Sequence, residues 1–223
     1  MRADYRLGDL CQITASPSSD MFVDLAEGVE GTPVLSPADI TAGQRVDASH
    51  VRSLPRIEEG LARYRLLPGD LVVVRQGAVG RVALIGEPES GWIYHSSCMR
   101  LRPDKHAVHP AYLAAYLAHP PVVDQMLART HQGTVATITV DVLADLPVAL
   151  PTPEEQRLIA QALGEVDVQL RVQRQLLHRL EALRPALLSQ MLGGDVPGER
   201  GIGPAVTAAG RRPGRTRRTS RMS

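Results

Sequence analysis

The chain has 223 residues, 43% of them hydrophobic, enough for one domain of ordinary size plus an extension. One Phe and one Trp leave the core to Leu, Val, Ala and Ile. The net charge is +1, Met1–Leu10 is polar and no apolar run nears about 18 residues, so a secretory signal and a membrane span are not expected and the expected setting is a reducing cytoplasm. Cys11 and Cys98 lie far apart and read as two free, structural thiols.

In chain order, Tyr5–Ile13 reads as a strand, followed by a Ser/Pro-rich loop. Residues 31–66 mix Pro, Gly and polar residues and are expected to be mostly loops. Pro68-Gly69 is a turn feeding the buried strand Leu71–Val74. Gly77-Ala-Val-Gly80 is a second turn, after which Arg81–Ile85 pairs back as a hairpin. Trp92–Leu101 is a further strand, and Pro110–Ala128 a helix interrupted near Pro120-Pro121. Thr134–Val140 is short and β-branched, and Leu143–Leu150 follows. The fold class is therefore α+β: a mixed α/β head over residues 1–150.

The chain changes character at Pro151. Thr152 can cap a helix, Pro153 suits its first position and Glu155 completes a capping box. A helical segment follows over residues 151–194. Its apolar residues Ile159, Leu163, Val166, Leu170, Leu177, Leu180, Leu187 and Met191 keep the alternating four-and-three steps of a coiled-coil seam, interrupted by Gln173 and Arg184. At about 1.5 Å per residue the rod is roughly 60 Å long. Such a seam needs cover, from a partner helix or from the head itself, and pairing between copies is the expectation. Pro185 should kink or split the rod after Arg184. Gly193-Gly194 should end it. Residues 195–223, with six Arg between Arg211 and Arg221, are expected to be a disordered tail, either solvated or touching nucleic acid non-specifically. Residues 1–150 carry 13 basic and 17 acidic side chains, a net −4, so a nucleic-acid site on the head would be a local patch.

Catalytic templates fail. There is no Walker loop, no GxGxxG and no Cys/His ligand cluster among the seven scattered His. Pro120-Pro121 stands between His119 and Val122, so the Asn/Asp-Pro-Pro-Tyr segment of a methyltransferase is missing. The single Lys105 has Pro103 two before it, so the acidic-x-Lys core common in metal-dependent nucleases is missing too. No catalytic residue, metal ligand or cofactor is nominated. The head suits binding.

The motifs resemble one family in order. Gly31-Thr-Pro33 with Pro37-Ala-Asp-Ile40, then Leu67-Pro-Gly-Asp-Leu-Val-Val-Val-Arg-Gln-Gly-Ala-Val-Gly80, are similar to segments of type I restriction–modification specificity subunits. So are Ser96–Pro103 with His109–Leu113, and Gln132-Gly-Thr134 running through Ile138 and Leu146 to Glu155-Gln156. The last of these is the most specific. The resemblance implies a non-catalytic, DNA-reading subunit that serves a separate methyltransferase and often a translocating restriction nuclease. A full specificity subunit has two recognition domains and two spacers, whereas this chain offers one of each. It resembles a half subunit that would homodimerise to present two heads.

No base contact carries over by motif, so candidates for double-stranded DNA are chosen by chemistry. Arg75 and Gln76 sit at a strand end beside a tight turn, where Arg suits guanine and Gln suits adenine, and Arg81 follows that turn. Gln132, Thr134 and Thr137 form a polar run in a Gly-bearing loop. Arg52 and Arg56, with Arg45, Arg63 and Arg65, could hold phosphates. Gly69, Gly77 and Gly80 read as turn geometry. Two other classes remain open: a free-standing DNA-binding regulator, and a coiled-coil adaptor whose head binds protein.

Overall fold

The computed structural model describes residues 3–56, 59–130 and 135–191. The chain opens with β1 (Ala3–Arg6), a single helical turn α1 (Leu7–Leu10) and β2 (Cys11–Thr14). The single strand expected over Tyr5–Ile13 is therefore broken in two. Leu7 and Leu10 are three apart and both buried, which is helical spacing, and Asp9 closes the turn by accepting the Arg6 backbone N–H at 3.2 Å.

The segment 31–66 and the loop before it hold more regular structure than their composition suggests. β3 (Ala26–Glu27), β4 (Thr32–Leu35) and β5 (Arg52–Leu54) alternate with 3-10 turns at Ser19–Phe22, Pro37–Asp39 and Glu59–Tyr64. These strands are two to four residues long, too short to show a period. Gly31 is required here by close approach: a Cβ on it would lie 2.1 Å from the Leu54 carbonyl oxygen.

The hairpin β6 (Leu71–Val74) and β7 (Val82–Leu84) forms as expected, antiparallel, with Val73 opposite Val82. Trp92–Leu101 is instead two strands in two sheets, β8 (Ile93–Tyr94) and β9 (Cys98–Pro103), parted by His95-Ser-Ser97. α2 (Pro110–Leu117) and α3 (Pro120–Ala128) are separate helices, broken where the prolines predict. Then come α4 (Val140–Ala144), capped by the Thr139 hydroxyl, and β10 (Pro147–Leu150), which pairs antiparallel with β1.

Two four-stranded sheets result, ordered β2-β9-β6-β7 and β3-β5-β4-β8; the first is antiparallel, and the second has one parallel pair, β4 with β8. β6 is buried on both faces, and its alternation divides the interior. Leu71 and Val73 join a core with Leu7, Leu101, Leu113 and Met126, while Val72 and Val74 join another with Leu35, Ile85, Ile93 and Tyr94.

Three charged groups are spent on holding this frame. Asp70 is buried, accepts the Leu67 N–H at 2.8 Å and binds Arg102 through two bonds of 2.7 Å. Arg100 is buried and donates to the carbonyls of Arg63 and Arg65 and to the Thr14 hydroxyl.

α5 runs from Pro153 to Met191 as one helix, so Pro185 does not split it. The capping box forms in full. The Thr152 N–H donates to Glu155 Oε2 at 2.8 Å, and the Glu155 N–H donates to the Thr152 hydroxyl at 3.3 Å. Gln156, the one buried side chain of this helix, accepts the His109 N–H at 2.8 Å and donates to the Pro151 carbonyl at 2.9 Å. Two compact units are distinguished, Met1–Arg171 and Val172–Ser223. Gly193-Gly194 and the tail expected to be disordered lie outside the described residues, and no described helix is long and apolar enough to cross a membrane.

Candidate nucleic-acid interface

Strand ends from both sheets converge. Val74 at the end of β6 faces Cys98 at the start of β9, and Leu35 at the end of β4 faces Tyr94 at the end of β8. The Tyr94 hydroxyl reaches across to the Ala15 carbonyl at 3.0 Å, just past the end of β2. Residues 15–18, 75–81, 95–97 and 135–138 are therefore neighbours, though far apart in sequence.

Main-chain bonds hold them. The Arg75 N–H donates to the Ser97 carbonyl at 2.9 Å, and the Ile138 N–H donates to the Arg75 carbonyl at 2.9 Å. Gln76 and Thr137 form an isolated β-bridge, and the Gly77 N–H donates to the Ala136 carbonyl at 3.1 Å. Gly69, Gly77 and Gly80 all have positive φ, as turn geometry requires; Gly80 also packs so closely that a Cβ would meet a Val123 methyl at 2.9 Å.

Of the candidates, Arg75, Gln76, Thr137 and Arg81 are brought together here. Arg75 is half-buried and donates to the Ser16 hydroxyl at 2.9 Å, which aims its guanidinium. Gln76 is exposed and its amide bonds nothing among the described residues. Arg81 is exposed and leans on the Pro37 carbonyl at 3.3 Å. Arg52 is exposed on β5, opposite Val34, and its charge is felt by His95. Arg56 stands apart from the cluster. It follows Leu54, whose partner Thr32 is at the far end of β4 from Leu35. Arg63 lies over the Tyr64 ring at 4.8 Å and Arg65 donates to the Gly91 carbonyl, so both have framework partners. Gln132 and Thr134 lie outside the described residues.

Sequence reasoning missed Ser16, Phe22, His95 and Ser97. The signal for the last two was present: the polar triplet His95-Ser-Ser97 interrupts an apolar run that otherwise reads as one strand. His95 packs on Phe22 with ring centroids 5.1 Å apart, and its Nδ1 accepts the Ser97 N–H at 3.2 Å. Burial, and then the Arg52 charge, hold its pKa below the usual histidine value, against the opposing pull of Asp39. The end of the two sheets thus carries an aimed guanidinium, an exposed amide, hydroxyls and a largely neutral imidazole. That is chemistry for recognising hydrogen-bonding edges, and no set of three or more metal-ligating side chains exists among the described residues.

Residues 3–182 match the family described as the type I restriction modification DNA specificity domain. The chain belongs to that family. Similar proteins include a putative type I restriction enzyme MjaX specificity subunit of Methanocaldococcus jannaschii, 31% identical over 117 residues, covering 49% of this chain and 27% of that protein. The type I restriction enzyme EcoBI specificity subunit of Escherichia coli is 24% identical over 158 residues, covering 70% of this chain and 31% of that one. Among solved structures, the HsdS subunit of Thermoanaerobacter tengcongensis shares the fold, with a TM-score of 0.59 at 16% identity, covering 91% of this chain and 51% of that one. This specificity chain thus spans about half or less of the proteins it matches. Specificity subunits of type I systems are DNA-recognition subunits that catalyse nothing themselves.

Proposed function

We propose that this chain selects the DNA sequence at which a partner methyltransferase acts, and that it reads bases through Arg75, Gln76, Thr137 and Arg81, with Arg52 nearby to hold phosphate. A translocating restriction subunit, where one exists, would use the same selection, in the cytoplasm. The observation that carries the reading is the convergence of residues 15–18, 75–81, 95–97 and 135–138 at one end of the two sheets, with polar side chains on a main-chain frame. Two heads, paired through the seam of α5 in a homodimer, would read the same half-site on each strand, so the target is an interrupted palindrome.

Methylated sites mapped in cells carrying this gene and its methyltransferase test the proposal. The expected result is a bipartite motif with related halves. Arg75→Ala and Gln76→Ala should each relax one base pair per half, costing about 1–3 kcal/mol of discrimination if the contact is bidentate. Unlike halves would point to pairing with a different specificity chain. A short continuous motif would overturn the spaced-head arrangement. Methylation that ignores this chain would leave a regulator or an adaptor.

A further inference from the structure

We infer that His95 is a specificity-determining residue, a fixed hydrogen-bond donor that reads an acceptor on the major-groove edge of a base. The inference rests on the DNA-reading assignment above and extends it to a residue outside the expected set.

The tautomer follows from one bond. The Ser97 backbone N–H points at Nδ1 from 3.2 Å, and a backbone N–H can only donate. Nδ1 must therefore carry its lone pair, and in the neutral ring the proton is on Nε2. The Ser96 hydroxyl, 3.5 Å from Nδ1, can donate to the same lone pair. Two buried side-chain atoms lack a partner among the described residues, Arg100 Nε and His109 Nδ1. His95 is half-buried, and its Nε2 has no partner among the described residues and is not one of those two.

The donor is also held in place. The His95 N–H donates to the Leu35 carbonyl at 2.9 Å, and its carbonyl accepts the Cys98 N–H at 2.9 Å, which ties the residue to β4 on one side and β9 on the other. The ring rests on Phe22, tilted by 35°, and Phe22 is itself buried. Little side-chain freedom is left to lose on binding. Burial, and then the nearby Arg52 cation, disfavour a second proton on the ring. In the major groove a donor-only group donates to N7 of either purine, O6 of guanine or O4 of thymine, and it opposes the exocyclic amine of cytosine. The position facing His95 should therefore exclude cytosine.

The test uses the purified full chain and a library of randomised duplexes. The wild-type protein should enrich a motif in which one position rejects cytosine. His95→Phe keeps the ring on Phe22 and removes the donor; it should bind about as well at every other position and lose roughly tenfold discrimination at that one. Uniform weakening on all sequences, or an unchanged motif, would overturn the role of His95 while leaving the DNA-reading assignment standing. No enrichment by the wild-type chain would overturn the assignment and the inference together. Should His95→Phe not fold, 15N-labelled wild-type protein decides: a proton on Nε2 whose signal moves when the selected duplex is added supports the role. A proton on Nδ1, or an unmoved signal, overturns it.

Discussion

At the scale of single residues, the Pro-Gly-Asp motif before β6 has a framework role. Asp70 combines a buried carboxylate, a bidentate pairing with Arg102 and a bond from the Leu67 N–H. Asp70→Ala removes all three, leaving the Arg102 guanidinium with only its 3.4 Å bond to the Arg65 carbonyl and the Leu67 N–H unpaired. The expected loss is about 2–3 kcal/mol, read as a lower urea midpoint with unchanged steepness. A loss no larger than that of an ordinary surface substitution would show that Asp70 does not hold the turn. The two thiols give a second prediction at this scale. Burial pushes both Cys11 and Cys98 up to about 12, so neither ionises at pH 8. A thiol reagent at that pH should label neither residue in the native chain and both in urea. Rapid native labelling of Cys98 would mean that the end of β9 opens readily.

At the scale of elements, the Glu-Gln pair that opens α5 divides two tasks. Glu155 caps the helix, and Gln156 ties its first turn to the segment before α2 through the His109 N–H. Gln156→Ala should cost about 1–3 kcal/mol, because it removes the partner of both the His109 N–H and the Pro151 carbonyl. Gln156→Glu keeps the acceptor and loses the donor, so it should lie between the two. Hydrogen exchange at the His109 amide reads the difference directly; an exchange rate unchanged in Gln156→Ala would sink the idea. The capping box and the β6–β7 hairpin were legible in the sequence because each depends on neighbours within a few residues. The break at Leu7–Leu10 and the split of Trp92–Leu101 were not. Each fragment there is two to six residues long, and its partner strand is distant: β1 needs β10, and β8 needs β4. The candidate site was half legible for the same reason. Arg75 and Gln76 stand beside a recognisable turn, whereas Ser16 and His95 join them only through long-range pairing, and nothing local distinguishes Arg52, near His95, from Arg56 at the opposite strand end.

At the scale of the whole molecule, the seam of α5 and the charge balance decide what to expect in solution. Ile159, Leu163, Val166, Leu170, Leu177 and Leu180 are each between 37% and 57% exposed in the single chain. Fully burying one Leu is worth about 1.5–3 kcal/mol; these positions have about half of that left to gain, but a dimer gains it on both helices, roughly 9–18 kcal/mol in all against a pairing cost of order 10 kcal/mol. Sedimentation should give a dimer for the proposed specificity chain, and Leu170→Asp with Leu177→Asp should give a monomer whose first unit remains folded. A wild-type monomer at micromolar concentration would mean that the seam awaits a different protein.

The main-chain ties around Arg75 have one more consequence. The bonds from the Arg75 N–H to Ser97, from the Ile138 N–H to Arg75 and from the Gly77 N–H to Ala136 use no side-chain atoms. The shape of the reading surface is therefore independent of most of the letters displayed on it. A lineage can exchange Gln76 or Thr137 without disturbing the packing beneath. For the sequence-selecting role proposed above, that separation would let a new dialect arise from a few substitutions while the grammar of the fold stays fixed.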